Sequence, residues 1–201
     1  SMIGIVGGIG PLAGVDLYKK IVENTVALVD QDHLPVLLAS LPGEIPDRTA
    51  FLLGDTDENP AHGLAKVIRM LEQAGAKQIA IACNTAHATP IFQPLLQLLE
   101  RESFKAEIIN LIDVTIQEIK AHQNNFQRIG ILSTSGTYKT RIYQDALEHA
   151  GLEPYLLPYE RHDVLVHQAI YEIKIAGHSV GEQILAQLNM AVSELKAQGA
   201  Q

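Results

Sequence analysis

The chain has 201 residues, enough for one large domain or two small ones with real cores, and its formal charge of −8 argues against a nucleic-acid partner, which would want a basic face. No apolar run reaches the ~20 residues needed to span a bilayer, and the N-terminus lacks the basic region of a signal peptide, so Ser1 reads as a remnant of tag removal. One cysteine rules out an internal disulfide and suits a reducing, cytoplasmic setting.

In chain order, β-branched apolar runs alternate with longer segments of helical period. A strand is expected at Ile3–Val6, then the loop Gly7-Gly8-Ile9-Gly10-Pro11, then a helix over Leu12–Val29. A glycine such as Gly8 lets a ligand or another backbone come close. The loop is not read as a dinucleotide site. Pro11 stands where that helix should begin, and no acidic residue closes a second strand about 20 residues on. A second strand, Val36–Ala39, leads to Pro46-Asp47-Arg48-Thr49. Arg48 can grip a carboxylate through two parallel bonds, or it can pair with Asp47 in a solvated loop.

A helix over Pro60–Ala74 precedes a strand at Gln78–Ala82 and the segment Cys83-Asn84-Thr85-Ala86-His87, with a further helix over Thr89–Leu99. Cys83, after a buried strand and before a helix, is expected to meet free N–H groups and a helix dipole, which favour a thiolate or a bound carboxylate. Asn84 and Thr85 add short hydrogen-bonding side chains for an anion. The competing reading is a small buried hydrophobe, the usual fate of a lone cysteine. The polar pair after it favours chemistry. The histidines show no metal spacing, and Gly-x-Ser-x-Gly is absent, so neither a metal nor a serine triad is expected.

Strands at Ile108–Asn110, Ile129–Leu132 and Pro154–Leu157 then alternate with helices at Val114–His122, Tyr138–Ala150, His162–Ile175 and Val180–Gln198. Ser133-Thr134-Ser135-Gly136-Thr137 follows the fifth strand. Its hydroxyls and N–H groups can hold an anion, and Thr137 or Ser135 can cap the next helix. The alternation predicts an α/β fold with a parallel sheet and ligands at the carboxyl ends of the strands.

The chain also repeats itself. Met2–Gly7 resembles Arg128–Ser133 at an offset of 126, and Leu71–Lys77 resembles Leu195–Gln201 at an offset of 124. Two matches in one order suggest a duplicated α/β unit with a boundary near Asp113, giving an N-terminal subdomain 1–113 that carries Cys83 and a C-terminal subdomain 114–201. In the first half the Leu-x-x-x-Gly-Ala joint leads into a strand and Cys83. By the repeat, a strand and a second site residue are expected about six residues beyond Gln201, leaving the second subdomain incomplete at its end.

Together these pieces resemble the aspartate/glutamate racemase family, closest to its aspartate racemase branch. The matching segments are Gly7–Leu12, Asp30–Val36, Ile45–Thr49, Cys83–His87, Ser133–Thr137 and Ile170–Lys174, the last with a one-residue ambiguity at the lysine. The resemblance implies two Rossmann-like, doubly wound subdomains related by a pseudo-two-fold axis, an active site in their cleft, homodimers and no cofactor. It implies that Cys83 is one of two cysteines that move the α-proton of an acidic amino acid, aspartate above glutamate. Gly8, Asn84, Thr85 and the loop residues Ser133, Thr134, Ser135 and Thr137 would hold carboxylates, Arg48 the side-chain carboxylate, and Lys174 would assist. The family's second cysteine lies in a Gly-Cys-Thr-Glu segment past the Gly-Ala joint. Alternatives are a maleate isomerase, hydantoin racemase or arylmalonate decarboxylase on the same scaffold, or a non-catalytic binder of an acidic metabolite.

Overall fold

Apolar runs covered on both faces pair as parallel strands. In the computed structural model, which describes residues 1–122, 124–177 and 180–201, the chain divides into two units, Ser1–Leu111 and Ile112–Gln201. The first runs β1 (Ile3–Gly7), α1 (Pro11–Glu23), β2 (Val36–Ser40), α2 (Arg48–Leu53), α3 (Ala61–Gln73), β3 (Gln78–Ile81), α4 (Thr89–Arg101) and β4 (Glu107–Ile109). Its sheet is parallel in the order β2-β1-β3-β4, with Ile3 opposite both Val36 and Gln78. The chain winds from β1 to β2 on one side and then crosses to β3 on the other. The carboxyl ends of β1 and β3 therefore flank the switch point, where open α/β sheets bind ligands. Leu64 and Ile68 of α3 and Ile91 and Leu95 of α4 close the core over Ile79 and Ile81 of β3.

The second unit carries α5 (Leu111–Ala121), whose first residue belongs to the first unit, then β5 (Arg128–Gly130), α6 (Ser135–Lys139), α7 (Ile142–His149), β6 (Glu153–Tyr155), α8 (Tyr159–His162), a π-helical turn (Asp163–His167), α9 (Gln168–Ala176) and α10 (Glu182–Gln198). β5 and β6 pair in parallel. The α/β class and parallel pairing expected from the alternation are present.

Several boundaries differ from expectation for local reasons. α1 stops at Glu23, where the side chains of Asn24 and Thr25 take its last carbonyls, Nδ2 donating to Lys20 O at 2.8 Å and Oγ1 to Ile21 O at 2.6 Å. α2 was not expected: Asp47 caps it by accepting the Ala50 N–H at 2.8 Å, and Gly54, at φ 84°, ends it. The helix expected over Tyr138–Ala150 breaks at Arg141, whose φ is 57°.

The repeat recurs as matched contacts inside each unit. A methyl group on Gly4 would lie 3.0 Å from Ala76 Cβ and 3.3 Å from Leu71 Cβ, and one on Gly130 would lie 3.3 Å from both Ala200 Cβ and Leu195 Cδ1. The Ala76 N–H donates to Leu71 O, and the Ala200 N–H to Leu195 O, both at 3.0 Å. Lys77 N–H donates to Met2 O at 2.9 Å, and Gln201 N–H to Arg128 O at 2.8 Å. The joint that leads into β3 beside β1 thus has a counterpart that returns to β5.

Candidate active site

In the first unit, three segments gather at the carboxyl ends of β2, β1 and β3. Gly8, at φ 83°, is pressed against the second segment: a Cβ there would lie 2.9 Å from Leu41 N and 3.0 Å from Pro42 N. The space expected for a ligand or a backbone is filled by backbone. From the other side, α3 presents Gly63 to Glu44 O, which a Cβ would approach to 2.0 Å. The stretch leading to Arg48 is thereby held between two glycines.

Arg48 is 8% exposed. Its Nη1 donates to Pro46 O at 3.0 Å and Ile45 O at 3.5 Å, while its Nε is buried with no partner. Asp47 caps α2, and among the described residues Arg48 makes no ion pair. The solvated Arg48–Asp47 pair is therefore not what forms. A buried guanidinium without a carboxylate is costly unless an anion completes it.

Cys83 is half-buried and packs against the main core. Its N–H donates back to Ile81 O at 2.8 Å in a tight turn. A 3-10 turn over Thr85–His87 follows, and α4 starts only at Thr89, with Pro90 fixing its first turn. The helix begins at Thr89 as expected, six residues past Cys83, and the Cys83 amide is already spent on Ile81 O. Asn84 is exposed and Thr85 buried. α2 packs against the Thr85–His87 turn, so the helix carrying Arg48 and the cysteine segment are neighbours.

His87 has a role that the sequence did not reveal. Its Nε2 accepts the Leu111 N–H at 3.3 Å, which leaves Nδ1 as the donor to Cys83 O at 2.8 Å. The four-residue spacing signals this contact between His87 and the Cys83 carbonyl. Among the described residues no group of three potential metal ligands occurs.

In the second unit, the loop after β5 is buried and bonded to itself and its neighbours. Thr134, not Ser135 or Thr137, caps α6, accepting the Thr137 N–H at 3.4 Å and donating to Thr137 Oγ1 at 3.3 Å. Ser133 Oγ donates to Thr134 O at 3.1 Å. Ser135 donates its N–H to His167 Nδ1 at 2.9 Å and its Oγ to Asp163 Oδ1 at 2.8 Å. His162, wholly buried, holds Ser133 O through Nε2 at 2.8 Å, and burial pushes its pKa down. Sequence reasoning missed these three residues because the 162–175 stretch reads as plain helix. Lys174 Nζ lies 4.9 Å from the centre of the Tyr171 ring.

The first unit is thus an open, parallel α/β sheet with a cysteine after β3, at its switch point, and a buried arginine on a neighbouring helix. The chain belongs to the Asp/Glu/hydantoin racemase family, a family of isomerases, whose sequence model matches residues 6–201. It is 27% identical to the broad specificity amino-acid racemase RacX of Bacillus subtilis over 191 residues, 92% of this chain and 77% of that protein. It is 30% identical to the glutamate racemase of Aquifex aeolicus over 59% of this chain and 48% of that one, so it spans about half of that relative. The Picrophilus torridus aspartate racemase superposes with a TM-score of 0.81 at 26% identity, covering 98% of this chain and 77% of that structure.

Proposed function

We propose that the protein inverts the α-carbon of an acidic amino acid, aspartate in first place, with Cys83 as one of its acid/base groups and without pyridoxal phosphate. The observation that carries this is a half-buried thiol after β3, followed by a turn that packs against the helix carrying a buried arginine, which makes no ion pair among the described residues. The α-proton of an amino acid is a very weak acid. A thiol, with an ordinary pKa of about 8.5, needs only a modest shift to be ionised near neutrality. In the proposed step the Cys83 thiolate takes the α-proton. The C–H bond breaks, an S–H bond forms, and the electron pair spreads into the α-carboxylate.

Arg48 would hold the side-chain carboxylate. Within the first unit, Asn84 and Thr85 would contribute to carboxylate binding, and Gly8, packed on the Leu41–Pro42 backbone, would fix the loop beside them. Within the second unit, Ser133, Thr134, Ser135, Thr137 and Lys174 would offer carboxylate contacts of their own. Inversion needs a proton donor for the opposite face. The relatives' names, which span broad-specificity, glutamate and aspartate racemases, support the reaction class. Arg48 supports a dicarboxylic substrate.

A homodimer and a cytoplasmic setting belong to the same proposal. α1 exposes an apolar stripe of Leu12, Val15, Tyr18 and Val22, and Val26 beyond it is 95% exposed. Contiguous apolar surface of this kind marks an interaction face. Among the described residues no helix is long and apolar enough to cross a membrane. The direct test is chiral chromatography of L- and D-aspartate incubated with the purified protein, with glutamate and alanine alongside. Interconversion of aspartate supports the reading, and inertness toward acidic amino acids while another α-substituted substrate turns over contradicts it.

A further inference from the structure

The π-helical turn is the one irregularity in the helical stretch from Tyr159 to Ala176, and such turns recur at functional sites. Its mark is the Gln168 N–H donated to Asp163 O, five residues back. In a regular α-helix, residues five apart point to different faces. The wider turn lets His162 and His167 reach one loop.

The donor logic fixes both rings. Ser135 N is a donor, so His167 Nδ1 must offer a lone pair. Ser133 O is an acceptor, so His162 Nε2 must carry a proton, and its buried Nδ1 has no partner. Asp163 takes the remaining donor of Ser135, its hydroxyl. Asp163 and His167 of the turn, with His162 just before it, thus clamp the loop at positions 133 and 135, and one clamp fails if His167 gains a second ring proton.

We propose that His167 is a positioning residue for the Ser133–Thr137 loop, and that its protonation releases the Ser135 amide and weakens substrate binding at acid pH. The proposal rests on the reading of that loop as a carboxylate-binding segment. The groups about His167 include His162, which it acts on through space and which Asp163 also acts on, Tyr171 with ring centres 4.6 Å apart, Lys174 over Tyr171, and Ser135. α10 packs against the turn through Ala191 and Leu195. Its polar contacts with this stretch include Gln187 to Val164 O, and Glu194 and Met190 Sδ to Arg161.

The test combines nuclear magnetic resonance with kinetics on the intact protein. The Ser135 amide should shift as the His167 ring titrates. KM for the acidic amino acid should rise about ten-fold toward acid pH, the worth of one ordinary hydrogen bond, with kcat changing less. His167→Asn keeps an acceptor near Nδ1 that does not titrate, so its KM should be flat over that range and close to the wild-type value at neutral pH. His167→Phe, if folded by circular dichroism, should show the raised KM at every pH. A Ser135 amide blind to the His167 titration overturns the proposal, as does an acid limb in His167→Asn identical to wild type. If no acidic amino acid is turned over, the racemase reading fails, and the Ser135 amide titration still decides the role of His167.

Discussion

Replacing Arg48 with methionine should separate function from stability. The side chain is 8% exposed, its one well-formed hydrogen bond is the 3.0 Å contact to Pro46 O, and its Nε is orphaned. Losing a hydrogen bond from a charged group costs about 1.5–3 kcal/mol. Exchanging a poorly satisfied buried ion for an apolar side chain of similar volume returns about 1–4 kcal/mol. The two nearly offset each other, so Arg48→Met should melt within about 4 °C of wild type, the shift that 1 kcal/mol produces in a chain of this size. Binding has no such compensation. Removing one partner of a desolvated charge pair costs about 2–5 kcal/mol, which lowers kcat/KM for aspartate about 30-fold to a few thousand-fold. Thermal melts with and without aspartate, and kinetics with aspartate and alanine, read both quantities. Wild type should gain stability with saturating aspartate, about 2.7 kcal/mol at 100 times Kd, and the variant should not. A variant that unfolds readily yet keeps kcat/KM for aspartate within a few-fold would make Arg48 a structural arginine and refute the reasoning.

Other outcomes follow from particular contacts. Gly63→Ala would drive a methyl into Glu44 O, so it should cost about 1–3 kcal/mol in a denaturant melt and raise KM by displacing the loop that carries Arg48. Burial lowers the pKa of His162, so the unfolded chain binds its proton first. The stability this residue contributes is full above its unfolded pKa of about 6.5 and is lost as pH falls from there toward the folded value. Melts of His162→Gln should show a flatter acid limb than wild type. Val15→Glu on the apolar face of α1 should convert a dimer to a monomer in light scattering, with the melting curve of the monomer still cooperative.

The parallel sheets, the Gly-Ala joints and the placement of Cys83 after a strand are all legible in the sequence, because each depends on a run of apolar residues or a glycine with few alternatives. Gly4 and Gly130 illustrate this: both leave room for a Leu and an Ala from the following joint. What is not legible depends on single side chains. α2 rests on one cap, Asp47, and is too short to show a period. The break at Arg141 keeps ion pairs to Asp145 and Glu148, four and seven residues on, so the charge pattern reads as one continuous helix and hides it. The π-turn leaves the apolar pattern of 162–175 intact, so His162, Asp163 and His167 looked like incidental polar residues. The start of α4 at Thr89 is legible because Pro90 suits a first helical turn, whereas the 3-10 turn over Thr85–His87 between it and Cys83 is too short to show a period.

The exchange of the substrate α-proton in heavy water bears most directly on Cys83. Purified protein is incubated in ²H₂O with L-aspartate and separately with D-aspartate, and the α-proton signal is followed by proton magnetic resonance. Wild type should wash out the α-proton of at least one enantiomer, and folded Cys83→Ala should leave that proton at the uncatalysed background rate. Equal exchange by wild type and Cys83→Ala would contradict the assignment of Cys83 as an acid/base group.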